Sequence, residues 1–323
     1  MKVIDENIDT SQLPLLSICV PTYNRPQLLK RTLLSLKTSR TDVEIIVTDN
    51  STDSNSKKVV EEILSSYPCQ WRYHKNEPAV TPANNMNAGI NLSRGAYVYI
   101  LHDDDFLLPS GLSKILQKIE ENPNYHVLKF GVKVVDINER RLFRTLKPVI
   151  NQKETYYPPQ LALKKLLSNS SYVRQPSVVV KKEAYDKVGL WDDSKTPPND
   201  TDMWMRMFSE FGIYNIPDTI SAYTVHNGAM TTSSFNYESL AILLGIFETA
   251  KQKGVLPAQI YNQCMSSFFH QWILASTFRF LILGDFSTAR KIMKLFYSPS
   301  MDKLSTSIKW LPLKLVFRMI LAV

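Results

Sequence analysis

The sequence predicts an α/β protein: a mixed, mainly parallel sheet flanked by helices, followed by a C-terminal helical region. Short apolar runs rich in β-branched and aromatic residues alternate with helical patterns, which calls for crossover connections and parallel strands. Polar residues cluster directly after those runs, at Thr22-Tyr23-Asn24, Asp49-Asn50-Ser51 and His102-Asp103-Asp104-Asp105. In such sheets ligands bind beyond the carboxyl ends of the strands, so these clusters share one rim. From about Tyr237 onward the strand patterns stop and the composition becomes helical, with Leu240, Ile242, Leu243, Leu244, Ile246 and Phe247.

Leu15 to Val20 reads as the first strand, and Pro21-Thr22-Tyr23-Asn24 turns out of it. Asn24 is expected to cap the helix that carries Leu28, Leu29, Leu33, Leu34 and Leu36. Val43 to Val47 is the second strand, followed by a helix with Val59, Val60, Ile63 and Leu64 on one side. Trp71 to His74 is a third strand, Pro82 to Leu92 a helix, and Tyr97 to Leu101 a buried strand. Pro109 to Glu121 is helical, His126 to Ile137 strand-like, and basic Arg140 to Tyr157 a variable loop. Leu161 to Leu167 forms a helix, Ser177 to Val180 a strand, and Tyr185 to Val188 a short helix ending at Gly189. Asn199-Asp200-Thr201-Asp202 opens a helix through Phe208, in which Trp204, Met205 and Met207 face the core. Ile220 to Val225 is the last strand, ending at His226-Asn227-Gly228. The expected organisation is an N-terminal extension over 1–14, a main domain over 15–235 and a helical region over 236–323.

The chain of 323 residues is 44% hydrophobic, enough for a sizeable core, and its net charge of +8 favours an anionic partner. Basic residues are dispersed among acids without a recognisable nucleic-acid module, which argues against nucleic acid as that partner. Cys19, Cys69 and Cys264 are far apart without metal-type spacing, and Cys19 lies in an apolar strand pattern, so a buried thiol in a reducing compartment is expected there. The polar, acidic stretch Met1 to Pro14 lacks a signal-peptide core, and no run reaches a membrane span. A cytoplasmic protein is expected.

The three consecutive carboxylates after Leu101 are the sharpest chemical feature. Like charges at that spacing raise one another's pKa unless a cation lies among them. Hard oxygen ligands at a strand end suit Mg²⁺ or Mn²⁺ shared with a phosphate; a solvated acidic turn before Pro109 is the plainer alternative. The first glycine in the chain is Gly89. A dinucleotide fold or P-loop needs glycines right after its first strand so that backbone amides reach phosphate. A nucleoside diphosphate bound here would therefore depend on metal held by carboxylates.

These stretches resemble family 2 glycosyltransferases. Val20-Pro21-Thr22-Tyr23-Asn24-Arg25 is similar to the family's opening strand and turn, and Val47-Thr48-Asp49-Asn50-Ser51-Thr52-Asp53 to its second-strand signature. Asn87-Ala88-Gly89, Gly95-Ala96-Tyr97 and His102-Asp103-Asp104-Asp105 resemble the stretch ending in its metal-binding D-x-D. Asn199-Asp200-Thr201-Asp202-Met203-Trp204 resembles the motif that opens its late helix, and Tyr223-Thr224-Val225-His226 a strand-end histidine of many members. The resemblance spans about residues 15 to 230.

It implies the GT-A fold, a Rossmann-like nucleotide-sugar domain, and inverting transfer. Pro21, Thr22, Tyr23, Arg25, Asp49, Asn87 and Asp103 would then form the nucleotide site. Tyr23 would pack on the base, Asp49 would accept from a base N–H, and Asp103 would lie near the ribose. Asp104 and Asp105 would hold Mn²⁺ or Mg²⁺. His226 would either approach the diphosphate or metal, or close its strand structurally. Asp200 would be the catalytic base, with Asp202 its rival or a helix-start residue satisfying free amides. His102 replaces the aspartate usually first in the run, and Met86 stands where many members carry arginine, leaving Arg25 or Arg94 to face phosphate. Arg206 would fix the carboxylates before it or be solvated.

The implied activity is transfer from a nucleoside-diphosphate sugar, foremost a UDP-sugar, to a glycan or lipid-linked hydroxyl acceptor in polysaccharide or glycolipid assembly. The alternatives are a nucleotidyltransferase of sugar phosphates and an inactive nucleotide-sugar binding partner. The stretch Ile308 to Val323 is apolar with spaced cations, too short to span a bilayer but suited to an interfacial helix. It is expected either to bind an anionic membrane, making the protein peripheral at the inner face of the plasma membrane, or to pack on protein. In the membrane case Lys314 and Arg318, one turn apart, would form a basic stripe.

Overall fold

The computed structural model describes residues 3–6, 13–142, 153–226, 236–282, 284–299, 301, 304 and 307–322. The chain divides into two compact units, one of Met1–Tyr157, Arg174–Asp193 and Ile213–His226, the other of Pro158–Val173, Ser194–Gly212 and Asn227–Val323.

The first unit is built on a single sheet. Strands β2 (Leu16–Thr22), β3 (Val43–Asp49) and β4 (Gln70–Lys75) run parallel, joined by helices α1 (Pro26–Ser35) and α2 (Asn55–Leu64). Helix α3 (Pro82–Leu92) returns the chain to β5 (Tyr97–Ile100), parallel to β2 on its other side. β2, β3 and β5 are almost wholly buried, which explains why they read as continuous apolar runs and not as alternating patterns. Beyond β5 the sheet continues through antiparallel β9 (Val178–Lys181) to β7 (Val127–Asp136), and then to β10 (Ile213–Val225), parallel to β7. β1 (Val3–Glu6) pairs antiparallel with β4, and β6 (Phe106–Leu107) and β8 (Thr155–Tyr157) pair antiparallel with β10. Helices α4 (Gly111–Glu121) and α6 (Lys182–Val188) complete this unit. The mixed, mainly parallel sheet flanked by helices is the predicted fold class.

The second unit is helical: α5 (Pro159–Ser168), α7 (Asn199–Phe211), α8 (Tyr237–Gln252), α9 (Ala258–Ile282), α10 (Phe286–Met293) and α11 (Leu311–Leu321). Its core gathers Phe247 against Phe268 and Phe269, ring centroids 4.8 and 5.0 Å apart. Trp204, Met205 and Met207 are buried as expected. No helix among the described residues is long and apolar enough to cross a membrane.

Several local expectations are corrected. Asn24 does not cap α1: it adopts φ +52°, and its side chain accepts from the Thr52 N–H at 2.9 Å, tying the β2 and β3 loops together. Asn tolerates the left-handed conformation better than most non-glycine residues. β10 starts at Ile213 and not at Ile220; Gly212, at φ +66°, ends α7 and turns the chain directly into it. Register shifts between Asn215 and Ser221 break the alternation that would have marked the longer strand. The loop expected over Arg140 to Tyr157 ends in β8, while 143–152 lie outside the described residues. So do 227–235, with Asn227, Gly228 and the boundary expected near 235.

Candidate active site

β2 and β5 lie side by side, and both end at the same rim. Leu101 N–H donates to the Cys19 carbonyl at 2.9 Å, which carries the pairing to the last residue before the carboxylates. From there each aspartate is held differently.

Asp103 is 3% exposed. Its Oδ2 accepts from Thr22 Oγ1 at 2.7 Å and from the Tyr23 N–H at 3.3 Å. Burial and the adjacent Asp104 charge push its pKa up to about 6, against the opposing pull of Arg25, Thr22 and Tyr23. Asp104 Oδ2 receives Arg25 Nη1 at 2.7 Å and lies 2.9 Å from His226 Nε2. Although burial works to raise its pKa, His102, His226 and Arg25 together hold it below the usual carboxylate value. Asp105 is 1% exposed; its Oδ1 accepts from the Thr224 N–H at 2.8 Å, whereas its Oδ2 is buried without a hydrogen-bond partner. Burial, then the Asp104 charge, raise the Asp105 pKa well above normal.

The turn itself is fastened from α1. Thr32 Oγ1 donates to the Asp103 and Asp105 carbonyls at 2.8 and 2.6 Å, and Arg31 Nη2 to the Asp104 carbonyl. The Arg31 guanidinium also lies 4.6 Å over the Phe106 ring. A turn anchored at each carbonyl keeps three like charges in one fixed arrangement.

Ligand atoms of His102, Asp104 and Asp105 lie within 4.8 Å of one another. Two carboxylates and an imidazole suit Mn²⁺ or Mg²⁺ sharing its remaining positions with phosphate oxygens. The orphaned Asp105 Oδ2 fits the same reading, since a buried carboxylate oxygen without a donor is costly unless a cation or proton meets it. The structure thus adds His102 to the expected Asp104 and Asp105, while His226 meets Asp104 directly.

On the β2 side, Tyr23 is 52% exposed beside buried Thr22, an aromatic face open at the rim. Asp49 is fully buried: Oδ1 accepts from the Ser51 N–H at 2.6 Å, Oδ2 from Tyr73 OH at 2.6 Å, with Lys75 Nζ at 3.4 Å. The Asn87 amide is spent on the Trp191 backbone, donating to its carbonyl and accepting from its N–H, both at 2.9 Å. Both residues therefore brace loops. Arg94 is not a phosphate ligand. It precedes β5 at the opposite end of the strands, where its N–H and guanidinium bind buried Glu44 and its Nη2 binds Gln70.

The sequence reading missed Arg174 and Gln175. β9 runs antiparallel to β5, so the residues before Val178 lie beside the turn after Leu101. Arg174 stacks on Tyr223 at 4.7 Å, and the Pro176 carbonyl receives Tyr99 OH and Ser221 Oγ. Gln175 between them is buried, with its Oε1 unpartnered. Neither residue belongs to a recognisable motif.

Asp200 and Asp202 occupy the first turn of α7, where unpaired amides and the helix dipole favour anions. Asp200 is exposed. Asp202 does not serve the helix-start amides; its Oδ2 accepts from Arg206 Nε at 2.8 Å, one turn along, so Arg206 is engaged with a carboxylate before it.

Comparison with known proteins agrees with this geometry. The family model described as glycosyl transferase family 2 matches residues 17–189. An uncharacterized glycosyltransferase of Haemophilus influenzae is 28% identical over 68% of this chain and 71% of its own length. The Campylobacter jejuni GalNAc(5)-diNAcBac-PP-undecaprenol β-1,3-glucosyltransferase is 36% identical over 34% of this chain and 36% of its own. Staphylococcus aureus TarS 1–349 in complex with UDP-GlcNAc superposes with a TM-score of 0.65 at 16% identity, covering 86% of this chain and 80% of that one. The Pyrobaculum calidifontis mannosyltransferase PcManGT, in complex with GDP-Man and Mn²⁺, gives 0.57 at 15% identity over 97% and 85%. These likenesses identify the GT-A glycosyltransferase fold.

Proposed function

The chain belongs to glycosyl transferase family 2, and from that premise we propose an inverting, metal-dependent transfer of a sugar from a UDP-sugar to a hydroxyl acceptor. The observation that carries the proposal is the fixed turn after β5, which presents His102, Asp104 and Asp105 together beside the Thr22–Asp103 pair. The UDP-GlcNAc complex of TarS and the Mn²⁺ complex of PcManGT support the same donor and cation classes. The undecaprenol-linked substrate named for the Campylobacter jejuni relative supports a lipid-linked glycan as acceptor.

In this reading Tyr23 stacks on the uracil face and Pro21 shapes the turn beneath it. Asp103 lies near the ribose, with Oδ2 on Thr22 and Oδ1 3.3 Å from Arg25 Nη1. Asp49 and Asn87 support the base site from behind through Ser51 and Trp191. His102, Asp104 and Asp105 would hold the cation, which when bound offsets the charge of the departing diphosphate. Arg25 and His226, which engage Asp104 from the same rim, are the groups that would face the phosphates. The carboxylate of Asp200 takes the acceptor hydroxyl proton as the oxygen attacks the anomeric carbon and the bond to the nucleoside diphosphate breaks. One displacement inverts the anomeric configuration.

The test is a panel of UDP-sugars incubated with the protein and Mn²⁺, followed by proton NMR. UDP release with an inverted sugar product is expected. A retained anomer would contradict inversion, and no UDP from any UDP-sugar, with pyrophosphate released instead from UTP and a sugar phosphate, would point to nucleotidyl transfer.

A further inference from the structure

The C-terminal helical unit carries an exposed apolar surface that the transfer chemistry does not use. Helix α11 packs inward through Phe317 and Leu321, both buried; Phe317 stacks on Phe278 of α9 with centroids 6.3 Å apart. Trp310 Nε1 binds Ser267 at 3.3 Å, and Arg290 of α10 donates to the Leu321 carbonyl at 2.8 Å. The helix is thus fastened to α9 and α10, while Leu313, Leu315, Val316, Met319 and Ile320 face solvent, Met319 84% exposed. Phe278, Ile282 and Phe286 of the neighbouring helices are also about half exposed or more. So many adjoining apolar side chains exceed the single exposed hydrophobics of an ordinary soluble surface.

Charge distinguishes the possible occupants. Between Phe278 and Ala322 the sequence holds eight Lys and Arg residues and two aspartates, a net +6 of the chain's +8. Arg290, Lys291, Lys294, Lys309 and Arg318, on or next to α10 and α11, are exposed. A second copy of the chain would bring the same positive charge against itself, whereas an anionic bilayer complements it. Apolar side chains entering the acyl boundary with cations at head-group level form the two-part signal that surface binding requires. The expected stripe of Lys314 with Arg318 is not what forms it. Lys314 is turned over the Phe296 ring at 4.2 Å, and burial lowers its pKa.

We propose that the outward face of α11, with Phe278, Ile282 and Phe286, docks on an anionic lipid bilayer. The docking goes beyond the transfer reaction and does not depend on which nucleotide sugar is used.

The test sediments the full chain with phosphatidylcholine vesicles, with and without phosphatidylglycerol. Binding to the anionic vesicles alone, released by high salt, is expected. The exposed triple variant V316E/M319E/I320E loses about tenfold or more in partitioning, and K309E/R318E loses about tenfold, with unchanged thermal unfolding in both. Failure of the wild type to bind anionic vesicles overturns the proposal, as does undiminished binding by the triple variant. A dimer that the triple variant dissociates, without vesicle binding, overturns it in favour of a second copy. Loss of UDP binding in solution would refute the proposed transfer reaction and leave the vesicle result standing.

Discussion

At the scale of single residues, the two carboxylates that open α7 differ in exposure. Asp202 is half-buried and accepts from Arg206 one turn along, while Asp200 is exposed in the same turn. Asp200→Asn is expected to lower turnover by about a hundredfold or more, the scale of a lost general base, with donor affinity retained. Asp202→Asn is expected to cost little beyond the ion pair. Steady-state kinetics on both variants check this, and an inactive Asp202→Asn beside an active Asp200→Asn reverses the assignment. The carboxylate turn was legible in sequence because a strand cannot end in three like charges without a reason. The contacts that consume Asp49 and Asn87 were not, since Tyr73, Ser51 and Trp191 reach them only after the loops fold together. Arg94 misled for the same reason: its charge is plain in sequence, but the end of the sheet it occupies follows from its pairing with Glu44.

At the scale of elements, the parallel half of the sheet follows from apolar runs and crossover spacing, and β2 to β5 lie where the pattern put them. Pairing strands too short or too polar to show a period escaped: β6 has two residues, and β8 is Thr-Tyr-Tyr. β6 nevertheless fixes the exit from the carboxylate turn. Leu108 N–H donates to the Ile220 carbonyl at 2.9 Å, and α4 begins at Gly111 against the same carbonyl. A Cβ on Gly111 would lie 2.2 Å from that oxygen. Gly111→Ala is therefore expected to destabilise by about 2–3 kcal/mol, as overpacking against fixed backbone does. Denaturant unfolding measures it, and a wild-type midpoint would show that α4 can shift freely.

At the scale of the whole molecule, stability should depend on pH through the helical unit. His270 of α9 is buried, its Nδ1 on the Ser266 carbonyl at 2.8 Å and its ring 5.1 Å from Phe296, with Lys314 nearby. Burial, aided by Lys314, lowers its pKa from the ordinary 6.5. The unfolded chain therefore binds the proton more readily, so stability is complete above pH 6.5 and declines as pH falls from there toward the folded pKa. Asp103 and Asp105, with raised pKa values, shift stability the other way as pH falls, so the His270 contribution is read as the difference between wild-type and His270→Gln melts, which should widen as pH falls from 6.5. The same slope in that variant would assign the effect elsewhere.

For the sheet unit, the proposal is that the turn after β5 binds a nucleoside diphosphate through a cation that Asp104, His102 and Asp105 would hold. Calorimetric titration of UDP into the protein with Mn²⁺, with EDTA, and into the Asp104→Asn variant tests it most directly. Metal-dependent binding by the wild type is predicted, with loss of about tenfold or more in both EDTA and the variant. UDP binding equally tight in all three would contradict it.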